Sequence, residues 1–431
     1  MKYQRPTGTN DVTPDEIAQW HEVEAVFVEL CRRHCYGELR TPIFEDTDLF
    51  IRSVGEGTDI VSKEMYTFDD RGGRSLTLRA EGTAPAVRAY LENNLMQQDP
   101  ERLVKLYYIA PIFRYDRPQA GRYRQHTQFG LEAIGSDNPA VDAEIIQMAV
   151  EFYSAVGIEN AALKLNSVGC PTCAPEYVRA LKEFAAERLD RMCEDCVRRY
   201  AENPLRMIDC KSEQCQAIIA EAPRMTDILC DGCAEHFAQV RHYLDIFGIA
   251  YELDPYIVRG LDYYTRTAFE FVAEGIGAQS SIGGGGRYDG LVEQMGGRPT
   301  PGVGIGIGVE RVLLVRRQLG VEEGQPARSG CFIVTLGDAA WEAGLKLAAQ
   351  LRAEGLRVDL DYRRRSMRAQ LRHADGESFA QALIIGDDEL AQGVVSVRDM
   401  ESGEQEQVGM GELLQRLGEA GGHESDALPE V

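Results

Sequence analysis

The segment "VRGLDYYTRTAFEF", residues 258–271, crowds a cation, an anion and two phenols around one glycine. Arg259, Asp262, Tyr263 and Tyr264 flank Gly260, and the near-alternating residues after them read as an apolar strand. A second concentration lies at residues 114–125, where Arg114, Arg117, Arg122 and Arg124 stand with Gln119 and Gln125. Guanidinium groups are rigid forks that suit phosphate oxygens, although a lone arginine-rich loop is usually just solvated. The residues after this loop carry Gln128 and Glu132, whose spacing puts both on one strand face with Gly130 between them. Polar groups beside a bare glycine suggest a pocket wall, and Glu81 could supply a second carboxylate.

Glycines form a third group. "SIGGGGRYDGL" (281–291) is not a P-loop, because no Gly-Lys-Ser/Thr follows. "PGVGIGIGVERVLLV" (301–315) puts Gly302, Gly304, Gly306 and Gly308 on one strand face and Val303, Ile305, Ile307 and Val309 on the other. The apolar face packs into a core. The other is bare backbone, on which a flat ligand could lie or over which another element could cross closely. Glu310 and Arg311 follow at the strand-to-helix corner.

These residues need elements to position them. Helical spacing from Ile17 to Cys31 predicts a helix over 15–37, and 38–46 reads as a short extended segment. An alternating strand with Leu76 and Leu78 leads through a Gly-Thr turn into a helix that tolerates Pro85 in its first turn. Runs 103–113 and 126–134 predict an antiparallel hairpin around the arginine loop, and 142–158 an amphipathic helix ending at Gly157. From 170 to 240 strand signals disappear and helical polar patterns dominate, which reads as an insertion. Strand-like sequence resumes at 249–254 and runs to about 310. The polar stretch 318–330 is a linker, and the strands and helices after it predict a small α/β domain with a largely parallel sheet. The expected boundaries are 1–168 and 241–320 for one domain, 169–240 for a mostly helical Cys-rich insertion, 328–420 for a second domain and 421–431 for a disordered tail.

At 431 residues the chain is too long for one ordinary core, and 44% hydrophobic with 27% charged residues fits a soluble globular protein. No apolar run approaches the roughly 20 residues of a bilayer span, so no membrane partner is expected. Without an apolar leader at the N-terminus, the expected location is cytoplasmic. A net charge of −23 argues against non-specific coating of nucleic acid. "DYRRRSMRAQLRHAD" (361–375) is a local basic stretch, readable as a solvated helix face or a polyanion contact.

Five segments in order carry a specific resemblance: "TLRAEGTAPAVRA", "PIFRYDRPQAGRYRQHTQFGLEAIG", "VRGLDYYTRTAFEF", "GGGGRYDGL" and "GVGIGIGVERV". They resemble the histidyl-tRNA synthetases, a family of class II aminoacyl-tRNA synthetases. The likeness starts at "RPTGTNDVTP" and runs through the C-terminal α/β region; "RGLDYYTRT" with "GGGRYDGL" is highly specific. It implies an α/β multidomain fold: a mainly antiparallel catalytic sheet flanked by helices, a helical insertion, and an α/β anticodon-binding domain. It implies that L-histidine and ATP, with Mg2+, form histidyl-adenylate and pyrophosphate, and that the 3′ end of tRNA(His) then takes the histidine. By the same resemblance Arg259 and Arg114 act at the α-phosphate, Arg311 at the terminal phosphate, and Gly304 and Gly306 allow close approach of ATP. Glu132 and Tyr264 match the imidazole partners, with Tyr288 nearby and Tyr263 in the same group. Glu81, Thr83 and Gln128 match residues that hold the α-amino group. Asp262 is read as support for the Arg259 turn. Arg117, Gln119 and Arg122 lie in the loop that meets the acceptor end of the tRNA, and a homodimer is expected. The regulatory subunit of ATP phosphoribosyltransferase shares the catalytic fold but typically lacks the C-terminal domain and the catalytic residues, all of which are present here.

Eight of eleven cysteines fall in the insertion, as Cys170/Cys173, Cys193/Cys196, Cys210/Cys215 and Cys230/Cys233. The first two pairs fit a structural zinc spacing, and eight thiolates could serve two sites. The expectation is at least one structural Zn2+; the alternatives are reduced buried thiols or disulfides. Family members of other lineages lack these cysteines, so catalysis should not depend on them. Cys31, Cys35 and Cys331 read as core residues.

Overall fold

The structure, a computed structural model, describes residues 3–55, 58–97, 99, 102–208, 210, 212–257, 261–273, 281–321 and 328–421. The Arg259 turn and all of the expected C-terminal tail beyond Gly421 lie outside the described residues. The chain divides into two compact units, Met1–Glu322 and Glu323–Val431.

Period-two patterning organises the first unit. In strand Gln125–Ile134, Phe129, Leu131 and Ala133 are buried in the main core, while His126, Gln128, Gly130 and Glu132 point the other way. This strand is the third of an eight-stranded sheet, ordered Gly37–Glu38, Val104–Phe113, Gln125–Ile134, Gly302–Gly308, Ser281–Arg287, Thr265–Val272, Ala162–Ser167, Glu252–Leu253. The two outermost pairings are parallel and the five between them antiparallel. Helices Ile17–Arg33, Pro139–Ala155, Asp231–Ile246 and Val309–Leu319 bury their apolar sides on one face of this sheet. The opposite face carries the polar side chains, beside a smaller apolar cluster in which Val104, Leu106 and Ile134 pack against Val87, Tyr90 and Leu291. A small three-stranded sheet, Phe44–Asp46, Ser75–Leu78 and Thr67–Asp69, precedes helix Thr83–Glu92.

The insertion is helical, as expected, with helices Ala174–Ala186, Glu194–Glu202 and Glu213–Ile219 around a small core of its own. Among the described residues no helix is long and apolar enough to cross a membrane.

The second unit differs from expectation in its sheet. Val358–Leu360, Ser329–Thr335 and Phe379–Ile385 are parallel, but Val394–Asp399 and Gln405–Gly409 are antiparallel to their neighbours. Only residues 386–393 join Phe379–Ile385 to Val394–Asp399, too few for a parallel crossover, which needs a dozen or more. Helix Met367–Gly376 carries most of the basic stretch and ends at Gly376, the residue just after it. Cys35 is a second departure: it is exposed, in a left-handed turn at φ 61, whereas Cys31 and Cys331 are buried.

Candidate active site

The polar face of the eight-stranded sheet opens into a cavity of about 540 Å³. Its floor is made by glycines. A Cβ on Gly304 would stand 2.1 Å from Glu132 Oε2, one on Gly306 2.0 Å from Gln128 Nε2, and one on Gly302 2.3 Å from the Tyr288 ring. The apolar residues between them, Val303, Ile305 and Ile307, are buried beneath. Both readings of the glycine face therefore apply. Neighbouring side chains cross it closely, and these are the polar side chains expected to meet a ligand.

One end of the cavity is acidic and phenolic. Glu81 accepts the backbone N–H groups of Thr83 and Ala84 at 2.7 and 2.6 Å, at the start of helix Thr83–Glu92, and receives the Tyr263 hydroxyl at 3.3 Å. Burial still raises its pKa above the usual carboxylate range. Glu132 is fully buried below the lining. Its carboxyl takes the hydroxyls of Tyr288 at 2.6 Å, Thr83 at 2.8 Å and Tyr108 at 3.3 Å. Burial pushes it up to about 8, so this carboxyl keeps its proton near neutral pH in the ligand-free state. Gln128 Oε1 is buried and has no hydrogen-bond partner among the described residues. The Tyr263 and Tyr264 rings stand 4.8 Å apart beside it all, lining the same space. Asp262 packs on Gly55, away from this group.

The other end is cationic. Arg114 lines it, donating to the Ala80 carbonyl at 2.7 Å. Arg311 donates to the carbonyls of Gly121 and Ser281 at 2.8 and 2.6 Å. Glu310 accepts the Thr127 N–H through both oxygens, and burial pushes it up to about 7. Arg122 turns inward, paired with Asp116 at 2.5 Å and near Glu64 at 3.7 Å. Arg117 and Gln119 are exposed at the loop tip, where Gln119 and Arg122 form a two-residue bridge around Gly121 at φ +69.

Sequence reasoning missed several residues here. Tyr108 lies against Gly82 and Gly130, where an added Cβ would meet its ring at 2.2 and 2.0 Å. The signal is the pairing of Tyr108 with Gly130 across the hairpin, legible only once the register is known. His126 lines the cavity, and burial, then Arg114 and Arg311, push it down to about 3. The N-terminal "TGTND" segment also contributes: the Gly8 carbonyl accepts the Arg124 N–H at 2.7 Å and so braces the arginine loop.

The cysteines group differently from their order in the chain. Cys170, Cys173, Cys230 and Cys233 form one cluster and Cys193, Cys196, Cys210 and Cys215 another, each with its sulfurs within 4.8 Å of one another. The C-x2-C pairs that look adjacent in sequence belong to different clusters, because helix Asp231–Ile246 brings the last pair back to the first. Either cluster could hold a metal ion.

Comparison with known proteins follows the same division. Residues 8–312 match the family described as "Histidyl-tRNA synthetase", and residues 330–420 match "Anticodon binding domain". The histidine–tRNA ligase of Pelotomaculum thermopropionicum is 52% identical over 417 residues, covering 96% of this chain and 97% of that protein. That of Desulforamulus reducens is 50% identical over 410 residues, covering 95% and 97%. The crystal structure of apo S. aureus histidyl-tRNA synthetase superposes with a TM-score of 0.81 at 39% identity, covering 96% of this chain and all of that one.

Proposed function

The chain belongs to the histidyl-tRNA synthetase family, and from that premise we propose how its cavity divides the work of a histidine–tRNA ligase. The enzyme activates L-histidine with ATP and transfers it to the 3′ end of its tRNA. The observation that carries the residue assignments is the polarity of one cavity, with acceptors and phenols at one end and guanidinium groups at the other.

At the first end, the Glu81 carboxylate and the unpartnered Gln128 Oε1 are two buried acceptors that suit an α-ammonium group, with Thr83 beside them. Tyr264, Tyr263 and Tyr288 surround the imidazole. Glu132 acts by holding the hydroxyls of Tyr288, Tyr108 and Thr83 in place, and Gly304 and Gly306 make room for Glu132 and Gln128. A site that hydrogen-bonds an imidazole discriminates strongly against side chains lacking its nitrogens.

At the second end, Arg114 and Arg311 bind the phosphates of ATP, and Arg259, assigned by family likeness alone, stabilises the charge that develops at the α-phosphate. Mg2+ would be held with the nucleotide by Glu270, a carboxylate on the cavity wall, and would neutralise phosphate charge there. Arg117 and Gln119 face the acceptor end of tRNA(His), and Arg122 shapes their loop. The proposed domains are 1–168 with 241–320 for catalysis, 169–240 as insertion and 328–420 for the anticodon. Exposed Arg363, Arg368 and Arg372 offer the second domain a tRNA contact despite the acidic chain. The working form is a cytoplasmic homodimer, and the insertion cysteines bind structural zinc.

Gln128→Ala and Arg311→Ala separate the two ends. Losing a hydrogen bond to a charged group costs about 1.5–3 kcal/mol, roughly 10- to 100-fold. Gln128→Ala should raise the histidine KM by that factor and leave the ATP KM nearly unchanged; Arg311→Ala should do the reverse. Both variants raising the same KM would overturn the assignment.

A further inference from the structure

We propose that the two cysteine clusters hold two metal ions with unequal roles: the ion at Cys170, Cys173, Cys230 and Cys233 sets the geometry of the histidine pocket, and the other only holds the insertion together. This deepens the zinc reading above and rests on it.

The sulfur spacings are those of a tetrahedral tetrathiolate centre. Four sulfurs about 2.3 Å from a central ion stand about 3.8 Å apart in a regular tetrahedron, whereas a disulfide needs about 2.05 Å. Cys170 to Cys230, Cys170 to Cys173 and Cys173 to Cys233 are each 3.8 Å, and Cys193 to Cys210 is 3.7 Å. Backbone N–H groups donate to sulfur in both clusters, Cys170 to Cys173 Sγ and Cys193 to Cys215 Sγ, each at 3.2 Å. Such bonds favour the thiolate. Cys173, Cys193 and Cys230 also sit at the N-cap positions of three helices, where the helix dipole favours negative charge. Soft thiolates in tetrahedral array select zinc among common divalent ions.

The clusters are nested. All four ligands of the inner one lie between the two pairs of the outer one. The inner cluster belongs to the insertion's own small core, through Cys196, Cys210 and Cys215. A module of this size needs such a staple, since a core below about 70–80 residues supplies little stability. Among the described residues that core shares none with the catalytic cavity's lining; its approach to the root is Met225, which lies beside Gly169 next to the outer cluster.

The outer cluster stands at the root, with two connections to the pocket. Beyond strand Ala162–Ser167, Val168 donates to the Arg266 carbonyl at 2.8 Å and Arg266 donates to that of Gly169 at 2.6 Å. Gly169, at φ +71, then turns the chain directly into Cys170. Arg266 lies two residues after Tyr264 on the cavity wall, so the metal-held turn fixes the start of that strand. The second connection runs through helix Asp231–Ile246. One turn beyond Cys233, His236 meets Asp142 at 3.3 Å, and Asp142 receives Arg287 at 2.6 and 2.9 Å, all buried. Arg287 immediately precedes Tyr288, whose hydroxyl holds Glu132. Asp289, one residue further on, donates its N–H to Thr265 Oγ1 at 3.3 Å and closes the circuit.

The test measures zinc content and the KM values of ATP–pyrophosphate exchange on the full chain, purified without chelator. Wild type should carry two zinc ions and Cys230→Ser one. A coupling between sites is commonly worth 5- to 150-fold, so the histidine KM of Cys230→Ser should rise about tenfold while the ATP KM moves far less. Cys210→Ser should also lose one ion, with a histidine KM several-fold below that of Cys230→Ser. Cys230→His, which restores a ligand, should recover both the ion and the histidine KM. If Cys230→Ser does not fold, removing zinc from wild type with a chelator and restoring it with zinc alone should raise and then recover the histidine KM. Wild type with fewer than two zinc ions would overturn the two-metal reading. Two ions with equal histidine KM in the two serine variants, or no change on chelation, would overturn the coupling alone. Neither result would touch the ligase reading, which fails only if wild type shows no histidine-dependent exchange.

Discussion

Glu132 shows what one carboxyl can do when the strand beside it has no side chains. Gly304 leaves the space that Glu132 fills, and three hydroxyls converge on its oxygens. Burial raises its pKa from 4.5 to about 8. A carboxyl raised in the folded state binds its proton more tightly there than in the unfolded chain. The stability it contributes is complete below the unfolded value and is lost as pH rises toward about 8. Ligand-free wild type should therefore melt progressively lower from about pH 5 to pH 8, and Glu132→Gln should flatten that slope, with a gap of roughly 5 °C at pH 8. Parallel melting curves for the two proteins across that range would contradict it. Gln128, Glu132 and Gly130 were legible in the sequence because a strand's period of two puts them on one face. Tyr108 was not, because its place depends on which residue it meets across the hairpin.

Among the elements, helix Asp231–Ile246 does the most to join distant parts of the chain. It returns from the insertion, packs on helix Pro139–Ala155, and places His236 against Asp142. Burial alone would raise the Asp142 carboxyl; the charge of Arg287 and the contact with His236 outweigh it and hold the pKa below the usual range. Removing one member of a buried pair leaves the other charge uncompensated, at about 3–5 kcal/mol. Asp142→Ala should lower unfolding stability by that amount in a denaturant titration, and a loss below about 1 kcal/mol would show that Arg287 finds other partners. The hairpin, the insertion and the alternating strands were legible from periodicity and composition. The cluster membership of the cysteines was not, because spacing along the chain says nothing about which helices fold back on each other.

The whole molecule joins a catalytic unit and a second unit, each with its own core. The family likeness was carried by short segments spread over the chain, and the alternation of Gly302–Gly308 already implied a sheet with one face bare. The mixed direction of the second sheet was missed because the regular alternation of strands and helices before it suggests parallel crossovers, whereas the connection at 386–393 is too short for one. The central claim is that this cavity activates histidine. It is tested most directly by histidine-dependent ATP–pyrophosphate exchange, followed by charging of tRNA(His), on wild type and on Arg259→Ala. The account predicts exchange and charging by wild type and loss of exchange in the variant; no exchange by wild type, or undiminished exchange by Arg259→Ala, would contradict it.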